Sequence, residues 1–282
     1  MWNDSISKEF MMIQRFIEDK CGIFLGDEKA YLLESRLSKM LAESIFESFD
    51  ELYAQICTWN DPDMIDEIID SITINETFWF RDKSPWLIME ELLLPAYIME
   101  LREGKRRKVR IWSAASSYGQ EPYSIAMCID HYLLSHNIGD LSLDRFEITA
   151  TDISHTVIQM AKTGRYDNIS IQRGLEETYR SSYFKNEGRV WTLNEKIRNA
   201  VNFRQFNLIN DFASFPKFDI IFFRNVLIYF SDKLKEEMMI KIKSSLYPGG
   251  ALFIGSSELF TDYGTDFIMD HYKNGTYFKA KG

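Results

Sequence analysis

Five short stretches of this 282-residue chain combine polar side chains with backbone that can approach a ligand. The first, RIWSAASSYGQEPYSIAM (residues 110–127), reads as strand, small-residue loop and helix. Its Ala, Ser and Gly residues let a ligand lie against the backbone, and the helix start behind them offers free N–H groups. The second is Asp152, closing the strand ITATD. A carboxylate there can accept hydrogen bonds from both hydroxyls of a ribose; the competing assignment is an N-cap for the helix that follows. The third is INETFWFR (residues 74–81), where a Thr and an Arg beside aromatics could line a pocket over a methyl-transfer centre or form a plain aromatic linker. The fourth, FFRNVLIYF (222–230), puts Arg224 and Asn225 at the end of an apolar strand, where α/β folds bind ligands. The fifth is FNL (206–208), again at a strand end. Loop and acid together point to an adenosyl ligand.

Other chemistries are poorly served. No Gly-Lys-Ser/Thr follows the small-residue loop, and the Gly-x-Gly-x-x-Gly fingerprint is absent. Four histidines lack ligand spacing, so no metal site is expected. Cys21, Cys57 and Cys128 show no Cys-x-x-Cys spacing and read as reduced thiols. The first ten residues lack a basic n-region and an apolar h-region, and no apolar run approaches a membrane span. A cytoplasmic protein is expected.

The elements that must hold these residues follow from periodicity. Apolar residues three or four apart (Phe10, Ile13, Phe16, Ile17; Leu32, Leu33, Leu37, Met40, Leu41; Met64, Ile65, Ile68, Ile69, Ile72) predict a small helical bundle, with a short helix over 50–57. Cys21-Gly22 breaks the first helix, and Asp61-Pro62 starts the last. Residues 73–84 have no period, and Pro85 returns to helix. Strands then alternate with helices: VRIWSAA, RFEITATD, VNFRQFNLI, FDIIFFRN, ALFIGSSE and TYFKAK, with Pro248-Gly249-Gly250 as a helix stop. This predicts an α/β, doubly wound, mostly parallel sheet with ligands at its C-terminal strand ends. Residues 165–200 interrupt the alternation with a short helix and a hairpin turning near Asn186-Glu187-Gly188. The expected division is an N-terminal helical domain (1–72), a linker lining the site (73–84) and a catalytic domain (85–282) carrying the 165–200 β insertion.

The order of these pieces resembles the CheR-type chemotaxis receptor methyltransferases, S-adenosylmethionine-dependent protein-glutamate O-methyltransferases with a Rossmann-like sheet. The resemblance runs from Gly22-Ile23 through the Tyr31–Leu37 stretch to the C-terminus, and rests most on NETFWFRD, WSAASSYGQEPYSIAM, TDIS, GRYDN–IQRGL–YF and FFRNVLIYF. It implies that Asn75, Thr77 and Arg81 contact the cofactor from the linker, Glu121 from the first loop and Asp152 at the ribose. Asn207, Leu208, Asn225 and Val226 would border the adenine and methionine parts, with S-adenosylhomocysteine as product. Arg81 and Tyr229 would face the reacting carboxylate. Tyr118 and Gln120 depart from the family, which usually carries Thr or Ser and a second Glu there. Other acceptors fit less well: the Arg224-Asn225-Val226 strand end is not the Asn/Asp-Pro-Pro-aromatic pattern of amine methylation, and no Cys stands where base C5 methylation needs one. Two alternatives stay open, a methyltransferase for another protein or small molecule and a catalytically silent docking module.

Charge bears on partners. The net charge of −9 argues against general nucleic-acid binding. The excess sits in residues 1–74 (6 basic, 16 acidic), whereas 75–282 carries +1. In the resemblance, the partner is the cytoplasmic helical bundle of methyl-accepting receptors, which Arg15, Lys29, Arg36 and Lys39 would face. The β insertion could add a strand to a receptor C-terminal tether peptide. The run 102–110, six basic residues in nine, is either an anionic docking patch or a solvated helix end. A monomer without membrane insertion is expected.

Overall fold

The computed structural model describes residues 8–24, 26, 35–38, 51, 54, 62–258 and 266–282. Its strands are β1 (Val109–Ala114), β2 (Phe146–Asp152), β3 (Arg165–Asp167), β4 (Phe184–Asn186), β5 (Val190–Leu193), β6 (Val201–Gln205), β7 (Phe218–Phe223), β8 (Leu246–Ile254), β9 (Phe267–Tyr272) and β10 (Gly275–Ala280). Its helices are α1 (Lys8–Cys21), α2 (Pro62–Ile72), α3 (Ser84–Ile88), α4 (Leu94–Arg102), α5 (Gln120–Ser135), α6 (His155–Thr163), α7 (Asn168–Gln172), α8 (Glu177–Tyr183), α9 (Glu195–Asn199) and α10 (Asp232–Ser245). A π-helical turn, Met89–Leu93, joins α3 to α4.

Seven strands pair in the order β6-β2-β1-β7-β8-β10-β9. The β6-β2-β1-β7-β8 run is parallel throughout, and β10 is antiparallel to both neighbours. The apolar β7, FDIIFF, is buried at every position, as a strand covered on both faces must be. From Ile220 on its side chains alternate between two cores, and Phe218, before a shift in register, breaks the alternation. Ile220 and Phe222 join Ile111, Tyr123 and Phe253 on one face; Phe218, Ile221 and Phe223 join Trp112, Met238 and Ile242 on the other. Each such large apolar side chain contributes about 2 kcal/mol on full burial. Buried Trp112 also donates its indole N–H to Thr151 Oγ1 at 2.9 Å, so its one polar group is satisfied.

A third core joins the N-terminal helices. Ile13, Ile17, Leu37, Ile68, Ile69 and Ile72 pack together, with Ile153 from the end of β2 against them. The predicted helix over 50–57 lies almost wholly outside the described residues; within it Glu51 and Ala54 are helical. Lys29, Lys39 and Cys57 also lie outside them.

Several sequence expectations are corrected. Pro248-Gly249-Gly250 follows the end of α10, as a helix stop should, but it also lies within β8, which starts earlier than expected and whose register with β7 shifts between Phe218 and Ile220. The helix already ends at Ser245. Strand β9 was not foreseen. The insertion contains the predicted hairpin, β4 with β5, and also β3, giving a three-stranded antiparallel sheet β3-β5-β4. Arg36 is half-buried. Its guanidinium donates to the carbonyls of Ile72 (2.6 Å) and Thr73 (3.1 Å), closing the C-terminal end of α2. The basic run 102–110 is largely paired within the chain: Arg102 with Asp140, Lys105 with Glu103, Arg106 with Glu100 and Asp219, Arg110 with Glu147. It is a self-neutralised helix end.

Candidate active site

The C-terminal ends of β1, β2 and β7 meet the residue 73–81 stretch and the end of α1 around one cavity of about 230 Å³. All ten residues singled out from the sequence lie in its wall: Asn75, Thr77, Arg81, Glu121, Asp152, Asn207, Leu208, Asn225, Val226 and Tyr229. The wall opens where strand order reverses about β1, the crevice in which doubly wound sheets take ligands.

One side is built from backbone. After β1 the chain passes through left-handed Ala115 (φ 52), Ser117 (φ 49) and Gly119 (φ 86) before entering α5. Left-handed non-glycine residues are strained, and strain of this kind collects at binding sites. Gly119 is required twice. Besides its positive φ, a Cβ there would lie 3.1 Å from Ala161 and from Phe203. Ser116 lines the cavity, and its buried Oγ has no partner among the described residues.

Asp152 is buried behind this loop. Its Oδ2 accepts the Ser117 N–H at 2.8 Å, and its Oδ1 accepts the Ser154 N–H at 3.0 Å. Burial pushes its carboxyl up to about 6 despite these bonds, and the charge of Asp70 adds to the rise. The N-cap assignment fails, because Ser154 caps α6 by accepting the Val157 N–H. Asp152 lines the cavity.

The opposite side is built from side chains. Glu121 accepts from Ser113 Oγ through one oxygen and from Arg224 through the other, both at 2.8 Å. Asn207 lines the wall with its side-chain amide held in place: it donates to the Lys20 carbonyl (2.6 Å) and accepts the Ile209 N–H (3.2 Å). Asn225 sits at φ 59 and donates its N–H to Glu258 Oε2 at 2.8 Å; the Gly255 N–H shares that oxygen at 2.6 Å. Arg81 lies over the Phe78 ring at 5.1 Å and donates to the Glu76 carbonyl. Burial raises the Tyr229 phenol, and the charge of Arg81 counteracts part of that rise, so the phenol stays a neutral donor.

The 73–81 stretch is anchored at both flanks. Ser117 Oγ donates to the Asn75 carbonyl at 2.9 Å. Trp79, fully buried, donates its N–H to the Arg173 carbonyl and its indole N–H to the Ser170 carbonyl, each at 3.1 Å. Gly174 lies so close that a Cβ would stand 2.1 Å from the Trp79 oxygen. Arg173 also pairs with Glu76 and lies over Phe78. The β insertion therefore holds the stretch that presents Arg81.

Glu258, Ser113, Ser116 and Gly174 were not singled out from sequence. A Glu closing the expected strand ALFIGSSE was the available signal for Glu258; the others carry no signal without three-dimensional context. Neither departure from the family pattern reaches the cavity wall. Tyr118 packs on the core and accepts from Tyr166 through its carbonyl, and Gln120 is buried. Among the described residues, no group of three or more His, Cys, Asp or Glu could hold a metal. Cys21 is buried with its thiol pushed up to about 12, and buried Cys128 is likewise raised, so neither is a nucleophile.

A sheet of this order, with a small-residue loop after β1 and a buried acid ending β2, defines an S-adenosylmethionine-dependent methyltransferase. Residues 75–275 match the family model described as CheR methyltransferase, SAM binding domain, and residues 8–73 match the CheR methyltransferase all-alpha domain. The chain belongs to the CheR methyltransferase family. It is 41% identical over 275 residues to the chemotaxis protein methyltransferase Cher2 of Pseudomonas putida, covering 97% of this chain and 98% of that one. It is 39% identical to chemotaxis protein methyltransferase 1 of Pseudomonas aeruginosa, with the same coverage. The chemotaxis protein methyltransferase of Listeria monocytogenes is 32% identical over 92% of this chain and 94% of its own. No helix among the described residues is long and apolar enough to cross a membrane.

Proposed function

We propose that this chain methylates glutamate side chains on the cytoplasmic helical bundle of chemotaxis receptors, with Arg81 and Tyr229 facing the acceptor carboxylate. The observation that carries this reading is the convergence of Arg81, Tyr229, Asp152 and Asn225 on one cavity from three separate segments. The donor set suits S-adenosylmethionine: Asp152 for the ribose hydroxyls, Glu121 for the amino-acid part, and the backbone at Asn207-Leu208 and Asn225-Val226 along the rest. Asn75, Thr77 and Arg81 close it from the linker (73–84) between the helical domain (1–72) and the catalytic domain (85–282).

When bound, the cofactor supplies an electrophilic methyl group on a sulfonium sulfur, and S-adenosylhomocysteine leaves. The protein's share is alignment. A glutamate carboxylate, with pKa ~4.3, is already ionised near neutral pH and needs no general base. That agrees with a cavity wall that, among the described residues, holds no His and no thiol but the buried Cys21. Charge is neutralised in the transition state, so a wall that excludes water speeds the reaction. Arg81 orients one carboxylate oxygen without neutralising it through a buried bidentate grip, and Tyr229 donates to the other. Excessive ground-state binding would add nothing to turnover.

The chain acts in the cytoplasm as a monomer, and the antiparallel insertion sheet offers β3 and β4 as edges for a receptor tether peptide. Exposed Arg15 on α1 remains a candidate contact for the acidic bundle. Mass spectrometry of a receptor cytoplasmic fragment incubated with enzyme and cofactor should find methyl esters on glutamates; modification confined to other residues would refute the reading.

A further inference from the structure

We infer that Arg224 is a positioning residue that sets the acceptor-facing Arg81 against the cofactor-facing Glu121; this rests on the roles proposed above for those two residues. Arg224 follows β7, and its side chain is only 1% exposed. Its guanidinium bridges two segments. Nη1 donates to Glu121 Oε2 at 2.8 Å. Nη2 donates to the Arg81 carbonyl at 2.8 Å and to Asp82 Oδ2 at 2.6 Å.

The second contact matters because of the backbone it holds. Arg81 is flanked by Phe80 (φ 46) and Asp82 (φ 57), both left-handed and neither a glycine. Such residues persist only when their surroundings impose them. The direction of the Arg81 side chain follows from this pair, and Arg224 grips the peptide between them. One rigid planar fork therefore fixes the cofactor acid and the acceptor guanidinium together. That is the alignment a methyl transfer needs, where misplacement by about 1 Å costs about 100-fold. Lysine would keep the charge between Glu121 and Asp82 but, as a compact ammonium without a fork, cannot reproduce the three-point grip. Arg224 spends both terminal nitrogens on protein acceptors and acts through its neighbours, while its buried Nε has no partner among the described residues.

The test is a double-mutant cycle on the full chain with a receptor cytoplasmic fragment, reading kcat at saturating S-adenosylmethionine below the melting temperature. R224K should lower kcat about 100-fold. Because that loss acts through Arg81, R81A/R224K should fall within about threefold of R81A alone. D82N provides a second cycle, expected to lower kcat about tenfold and to be equally non-additive with R81A. Losses that multiply, as a merely structural role would give, overturn the inference, as does wild-type kcat in R224K. Wild-type turnover in R81A alone is a different failure: it removes the acceptor role of Arg81, and the inference with it.

Discussion

The two walls of the cavity are made differently. On the roles proposed above, the ribose side of the cofactor wall is local: left-handed residues after β1 and Asp152 at the end of β2 lie on adjacent parallel strands, joined by the Ser117–Asp152 bond. The acceptor wall is assembled at long range. Arg81 lies on a stretch without regular structure, held by Arg224 from β7, by Ser117 from the first loop and by Ser170, Arg173 and Gly174 from the insertion. Binding can be secured by the sheet itself, whereas alignment depends on parts distant in sequence. Changes in the acceptor wall should therefore reduce turnover more than cofactor affinity, and changes in the cofactor wall the reverse.

R81A should separate the walls most clearly. Turnover should fall about 300-fold, the range seen when a preorganised donor is removed, while calorimetric affinity for S-adenosylhomocysteine changes far less. D152A should do the opposite, weakening that affinity about 100-fold through the loss of hydrogen bonds to a charged group. The same carboxylate sets a pH dependence. With its pKa raised to about 6, Asp152 is ionised above that pH and protonated below it. Affinity should be level near neutrality and fall about tenfold per unit on the acid side of pH 6; a flat titration down to pH 5 would remove Asp152 from ribose binding. G174A should cost about tenfold in turnover by displacing the Trp79 backbone, with cofactor affinity nearly unchanged. Y229F should have the smallest effect, about fivefold in turnover for one hydrogen bond, and an unchanged rate would leave Tyr229 as packing.

The same division explains what was legible in the sequence. Residues at strand ends were readable because an apolar strand followed by a polar residue fixes where that residue stands: Asp152 closing ITATD and Asn225 after FDIIFFR both line the cavity. Even so, Asp152 could be separated from an N-cap only when Ser154 was seen to cap α6. Side chains that act across the fold were not readable. Arg36 looks like surface charge until its guanidinium is found on the carbonyls of Ile72 and Thr73. Arg224 looks like a ligand residue until its three protein acceptors are found. Pro248-Gly249-Gly250 carries turn chemistry, yet it lies within β8, in the stretch between the paired Leu246 and Ala251 where the register with β7 shifts. Net charge was the poorest guide, because much of the basic run 102–110 is neutralised within the chain.

The chemistry is tested most directly by the fate of a labelled methyl group. Receptor-rich membranes incubated with the wild-type chain and tritiated S-adenosylmethionine should acquire label that mild base releases as volatile methanol, the behaviour of a glutamate methyl ester. Label that survives base treatment would place the methyl on another atom, and absence of label with intact cofactor binding would make the chain a docking module rather than an enzyme.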